Sequence, residues 1–201
     1  MAEELPTLSE LAQLALHLGF VPIPDKGKRP ILPNWQNTTK QTALRKVADA
    51  ERTGQADNIG ILTGKPSGIV VVDVDVSKGG LNFWNELVKQ HGEPDTLTVE
   101  TPNGGYHYYF KYDDRTSKLR NATAAIKGSG IDLKSDGGQV VFIGSIGTNG
   151  KVYRAVNGLN LVDDEINKTT VTIASMPDWL FELLQSNQEE LNRRYPHKYG
   201  F

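Results

Sequence analysis

The run Ile69-Val70-Val71-Val72-Asp73-Val74-Asp75-Val76 constrains this chain more than any other segment. Its β-branched residues dictate an extended strand, and so many in succession find burial only inside a sheet. Aspartate is poorly suited to such a strand, yet two stand here at alternate positions. Side chains alternate between faces, so Asp73 and Asp75 project together while Val72, Val74 and Val76 face the other way. Two carboxylates about 7 Å apart along one face repel unless a cation sits between them or protons are taken up. Oxygen ligands alone suit Mg2+ or Mn2+, which also take substrate phosphates as co-ligands. The plainer alternative is two solvated aspartates at a strand end.

Two familiar loops do not fit. Asp73-x-Asp75-x-Ser77 begins like a calcium-binding EF-hand, but its sixth position is Lys78 rather than glycine and its twelfth is Trp84 rather than glutamate. Gly64-Lys65 hints at a phosphate loop, but the leading glycine is replaced by Ile59 and Pro66 follows the lysine.

Around this strand the pattern is α+β. Thr7-Leu8-Ser9-Glu10 forms a capping box for a first helix whose apolar face is Leu8, Leu11, Leu14, Ala15 and Leu18, with Gly19 as its C′ residue. Phe20–Ile23 reads as a short strand, at a sheet edge because of Pro22. A Pro-rich loop over 25–40 and a helix over Thr42–Glu51 follow. Strands are expected at Asn58–Thr63, Ile69–Val76, Thr96–Thr101, Tyr106–Tyr112, Ile131–Leu133, Val140–Gly144 and Lys151–Ala155, the first two as neighbours. A helix over Leu81–His91 buries Leu81, Trp84, Leu87 and Val88. Asp136-Gly137 turns between two strands. Ser175-Met176-Pro177-Asp178 caps a last helix over about 177–194, with the tail beyond 190 frayed. The expectation is a mostly antiparallel sheet within one domain, 1–201, whose core spans about 10–180.

Two further stretches carry chemistry. In Thr101-Pro102-Asn103-Gly104-Gly105-Tyr106-His107 a glycine turn between strands offers backbone N–H groups to phosphate oxygens. His107, just inside the next strand, can donate to the same anion, or serve simply as a structural histidine. In Gly130-Ile131-Asp132-Leu133-Lys134, Asp132 and Lys134 share one face of a short strand. A third carboxylate completes a two-metal site, and Lys134 neutralises a triphosphate. The three carboxylates are expected to lack any counter-ion when no metal is bound. Asp136 reads as a turn residue.

Charge and composition set the remaining limits. With 22 basic and 24 acidic residues the net charge is −2, so a nucleic-acid partner must meet a local basic patch. Residues 111–134 supply one, with Lys111, Arg115, Lys118, Arg120, Lys127 and Lys134 against Asp113, Asp114 and Asp132. The alternative is a solvated loop. The chain has no cysteine, which excludes a disulfide scaffold, a zinc ribbon and a thiol nucleophile. No signal peptide or membrane-spanning run is visible, so a cytoplasmic protein with no membrane partner is expected.

The order of these stretches resembles the primase-polymerase (prim-pol) domain of the archaeo-eukaryotic primase superfamily. The matching residues are Val72-Asp73-Val74-Asp75, the Thr101–His107 segment and Gly130-Ile131-Asp132-Leu133-Lys134. Gly27-Lys28-Arg29-Pro30 followed by Trp35, and Asn58–Gly64, extend the likeness over roughly residues 10–180. The resemblance implies an RRM-like sheet with a packed companion α/β module. It also implies nucleic-acid synthesis from nucleoside triphosphates on a single-stranded DNA template, in plasmid, phage or mobile-element replication. By that analogy Asp73, Asp75 and Asp132 hold Mg2+ or Mn2+, while His107 and the Gly104-Gly105 turn bind the nucleotide. Many relatives carry a cysteine-ligated zinc element, which this chain cannot build, and a helicase or helical accessory region further on. A helicase in trans or in a longer parent chain is therefore an implied partner.

The expected activity is a metal-dependent, template-directed nucleotidyltransferase acting on a primer and template. Lys134, Lys28 and Arg29 assist with phosphate charge, and Lys118, Arg120 and Lys127 track nucleic acid. A metal-dependent nuclease and a non-catalytic replication-origin binding module are the rivals.

Overall fold

The computed structural model describes residues 6–24, 26–156 and 173–196. The sequence readings at residues 1–5, at Asp25 and beyond 196 lie outside them. Helix α1 (Leu8–Leu14) starts at the capping box as expected: the Thr7 hydroxyl accepts from the Glu10 N–H, and Glu10 returns a bond to the Thr7 N–H. It ends at Ala15, four residues before Gly19, so Gly19 is not its C′ residue. Strand β1 (Phe20–Ile23), helix α2 (Lys40–Thr53) and strand β2 (Asn58–Leu62) follow. Strand β3 (Ile69–Val74) leads through a 3-10 turn, Val76–Lys78, into helix α3 (Gly80–His91). Then come β4 (Thr98–Glu100), β5 (Tyr106–Lys111), β6 (Ala122–Ile126), β7 (Ile131–Lys134), β8 (Gln139–Val141) and β9 (Arg154–Ala155). Helix α4 (Asp178–Arg194) is regular through Arg194, past the expected fraying point, and no side chain caps its start.

The strands form two antiparallel sheets rather than one. The smaller has the order β1-β2-β8, with β1 and its Pro22 at an edge, and the larger has the order β6-β7-β3-β5-β4-β9. The expected pairing of β2 with β3 is therefore not made: the two belong to different sheets, and a single isolated bridge between Gly64 and Ile69 links the segments that follow and open them. The Asp136-Gly137 turn likewise carries the chain from β7 in the larger sheet to β8 in the smaller. Asp136 is a turn residue as expected, its carboxylate accepting from the Lys65 N–H at 2.9 Å and the Tyr112 hydroxyl at 2.6 Å.

Strand β3 is covered on both faces, which is why its sequence is a valine run. Val70, Val72 and Val74 face Trp84 of α3 and Leu180 and Leu184 of α4 in one core. Val71 faces a second core with Phe20, Ile59, Ile61, Val140 and Tyr109, which fills the space between the two sheets beneath α1 and α2. The site begins where that second core runs out. Val71 is fully buried, and the next residue on the same face is Asp73, whose side chain is 24% exposed.

Candidate active-site cleft

Register places three of the expected residues side by side. Asp73 on β3 pairs with His107 on β5 to one side and with Asp132 on β7 to the other. Partners directly opposite in an antiparallel ladder share a face, so the carboxylates and the imidazole point the same way. Asp75 lies just beyond the end of β3. Its Oδ1 accepts from the Ser77 N–H at 2.9 Å and the Ser77 hydroxyl at 2.6 Å, which opens the 3-10 turn.

An open cleft lies between the two sheets. The larger sheet contributes Asp73, Asp75, His107 and Lys134, with Thr101, Asn103 and Gly105 from the β4–β5 turn. The smaller sheet contributes Gln139, Val140 and Val141 of β8, and the loop after β1 brings in Lys28. That loop is tied to the sheet through the Gln139 amide, which donates to the Lys28 carbonyl at 2.6 Å. Neither Gln139 nor Tyr153, a further wall residue whose ring lies 5.8 Å from that of His107, was expected from the sequence. Gln139 opens a strand whose apolar pattern gives no hint of a site, and Tyr153 comes from a distant segment.

The electrostatics differ between the three aspartates. Asp132 is 4% exposed: its Oδ1 accepts from the Ala124 N–H at 2.8 Å, and its Oδ2 pairs with Lys134 at 3.1 Å and Lys78 at 3.5 Å. Burial pushes its pKa up, but the Ala124 amide and the two lysines outweigh that and hold it below the usual carboxylate range. Asp75 is likewise held low: burial is opposed by its bonds to Ser77 and by Lys78, whose Nζ is 3.2 Å away. The Asp73 carboxylate has only longer contacts, 3.6 Å to His107 Nε2 and 4.0 Å to Lys134 Nζ. The expectation of uncompensated like charges is thus overturned, because Lys78 and Lys134 act as counter-ions. Lys78 could have been read from its place three residues after Asp75, a spacing that one tight turn closes.

His107 is neutral. Burial lowers its pKa and, although Asp73 opposes this, Lys28 and Lys134 add to the lowering. Its Nδ1 is buried and has no hydrogen-bond partner. A polar atom in that condition costs stability.

The glycine turn behaves differently from expectation. The Gly104 N–H donates to the Thr101 carbonyl at 2.9 Å and the Gly105 N–H to the Thr101 hydroxyl at 3.1 Å, so both amides are engaged within the turn. Gly105 is there for close approach: a Cβ on it would sit 2.3 Å from the Val74 carbonyl oxygen. Its contribution to the cleft is shape.

Asp132 does not itself line the cleft, lying beside it under the two lysines, and Arg29, Lys118, Arg120 and Lys127 do not line it either. Arg120 is held against α4, its guanidinium donating to Asn192 at 2.7 Å and its carbonyl accepting from Gln188. Among the described residues no three carboxylate or imidazole groups converge in ligating geometry. The donor chemistry nonetheless suits a hard divalent cation: all three residues offer carboxylate oxygens, and the place between Asp75 and Asp132 is already taken by a lysine ammonium group. No helix of the described residues is long and apolar enough to cross a membrane.

A search of curated proteins finds no match. The sequence profile described as "Bifunctional DNA primase/polymerase, N-terminal" matches residues 10–179, which include every strand of the described residues and the cleft. By that match, the chain belongs to the bifunctional DNA primase/polymerase N-terminal family.

Proposed function

We propose that the cleft is the active centre of a template-directed nucleotidyltransferase, which extends or initiates a DNA-templated strand from nucleoside triphosphates. The observation that carries this reading is the ladder Asp132–Asp73–His107 across β7, β3 and β5, of which Asp73 and His107 line the cleft, in a chain of a primase/polymerase family. On this reading the larger sheet is the RRM-like catalytic element, the smaller sheet with α1 and α2 is its companion, and the setting is the replication of a plasmid, phage or other mobile element.

Asp73, Asp75 and Asp132 are the residues that would hold Mg2+ or Mn2+. Divalent cations bound there would make a primer 3′ hydroxyl a better nucleophile and neutralise charge on the departing pyrophosphate. The remaining work belongs to the chain. His107, in the cleft wall with its Nε2 3.6 Å from Asp73, holds its imidazole beside the carboxylate and toward a bound nucleotide. Lys134 and Lys28 approach the cleft from opposite sheets and balance triphosphate charge. Gly105 keeps the β4–β5 turn low enough for a nucleotide to lie against it, and Lys118 and Lys127 form the nucleic-acid track, with Arg120 anchoring that stretch to α4.

The test is extension of a labelled primer on single-stranded template, with ribo- and deoxyribonucleotides and with Mg2+ and Mn2+ in turn. Elongated product that vanishes in Asp73→Asn is the expected result. Shortened strands would favour the nuclease, and metal-independent DNA binding with no change in strand length would favour the origin-binding module.

A further inference from the structure

We propose that Lys78 is a resident cation of the acidic cluster, joining Asp75 to Asp132 in the metal-free protein and competing with the divalent cation for them. The inference rests on the metal-site reading above and deepens it. Lys78 Nζ reaches Asp75 Oδ2 at 3.2 Å and Asp132 Oδ2 at 3.5 Å, so one ammonium spans carboxylates from two different elements. Those are the two aspartates that a shared metal would draw together.

The local backbone is built to hold this lysine in place. The Lys78 and Gly80 N–H groups both donate to the Asp75 carbonyl. Gly80 is packed so closely on the entry to β7 that a Cβ on it would lie 2.6 Å from the Gly130 carbonyl oxygen. The turn is therefore clamped, while the Lys78 side chain remains 48% exposed. Only its four-carbon stem has to move for the ammonium to leave, and a triphosphate entering with the cation offers it new anionic partners.

The carboxylates do not depend on Lys78 alone. Asp132 keeps the Ala124 N–H and Lys134, and Asp75 keeps Ser77. Removing Lys78 thus leaves the fold anchored and removes a competitor. A merely structural lysine would act in the opposite sense, since its loss would loosen the cluster and weaken metal binding.

The experiment is calorimetric titration of Mn2+ into the full chain without nucleotide, comparing the parent with Lys78→Met, Lys78→Arg and Lys89→Met. Lys89 is an exposed lysine on α3, 69% exposed, and controls for net charge. The expected result is Mn2+ binding tightened roughly tenfold in Lys78→Met, unchanged within about twofold in Lys89→Met and close to the parent in Lys78→Arg. Should the methionine variant fail to fold by circular dichroism, Lys78→Gln carries the same comparison. A parent that binds Mn2+ while the uncharged variant binds equally or less tightly overturns the resident-cation role and leaves the metal site standing. Equal tightening in Lys89→Met overturns it as a general charge effect. Absence of binding in every protein overturns the metal-site reading and this inference with it.

Discussion

Asp73 and Asp132 stand directly opposite each other across β3 and β7, yet their carboxylates keep different company. Asp132 is buried and held by one backbone amide and two lysines, whereas Asp73 opens to the cleft with no ion pair or hydrogen bond shorter than 3.6 Å among the described residues. The same residue type in adjacent positions is therefore tightly held on one strand and open to the cleft on the next.

This division gives the first prediction. Asp132→Asn should destabilise the metal-free protein by about 1–3 kcal/mol, because a buried charge-assisted network loses its anion. Asp73→Asn should change stability by less than about 0.5 kcal/mol, since it removes no hydrogen bond. Both should lower extension by at least about 10²-fold. Urea denaturation and primer extension on the same preparations check the contrast. Equal stability losses would remove the distinction.

Ala124 sets up the second. It adopts φ 52°, a left-handed conformation rare for a residue with a Cβ, within the irregular pairing of β6 with β7. In that position its N–H reaches Asp132. Ala124→Gly keeps the donor and relieves the strain, and the extra freedom of glycine in the unfolded chain offsets part of the gain. A net stabilisation of about 0.5–1 kcal/mol is expected, seen as a rise of a few degrees in Tm. A lower Tm would show that the β6 irregularity is held without strain.

These details mark the limit of what is legible in the chain itself. The alternation of Val71, Asp73 and Asp75 identified a carboxylate-bearing face, because a period of two survives wherever a strand ends up. Which strands pair was not legible. Asn58–Leu62 and Gln139–Val141 are as apolar as their neighbours, and only long-range packing separates them into a second sheet. Strand β6, Ala122–Ile126, was missed because its alanines carry little strand preference and its pairing is irregular. The lysine counter-ions were missed for a related reason: strand periodicity places Asp73 and Asp75, but Lys78 returns to them through a 3-10 turn that follows no alternation.

His107 gives a pH dependence. Its pKa is lowered by burial, so the unfolded chain binds a proton from about pH 6.5 downward that the folded protein refuses. More protons on the unfolded state mean that stability falls as pH drops, with a slope of up to about 1.4 kcal/mol per pH unit until the folded imidazole protonates. Urea midpoints in chelator at pH 7, 6 and 5 should show this decline for the parent and a shallower one for His107→Gln. Parallel declines would assign it to other groups.

Gln139 reaches the chemistry through Lys28. Its amide donates to the Lys28 carbonyl at 2.6 Å and thereby holds the loop that presents that lysine to the cleft. Gln139→Ala releases the loop at a cost of about 1 kcal/mol of anchoring. The expected outcome is a KM for nucleotide raised about fivefold with kcat changed much less, a pattern that Lys28→Ala should reproduce and the double variant should not deepen. Additive losses would mean that the two act separately.

The basic stretch after β5 divides into two roles. Lys118 is exposed, while Arg120 spends its guanidinium and backbone on Asn192 and Gln188 of α4. An arginine so engaged anchors a helix, and its loss costs packing as well as charge. Arg120→Ala should therefore lower Tm, with any loss of DNA binding following from α4. Lys118→Ala should leave Tm unchanged and flatten the salt dependence of single-strand binding by about 0.7 in the log–log slope, one phosphate contact's worth. Fluorescence anisotropy of a labelled oligonucleotide across a salt series, beside thermal melts, measures both. An unchanged slope in Lys118→Ala would make this stretch a solvated surface and move the template track to the loop that bears Lys28.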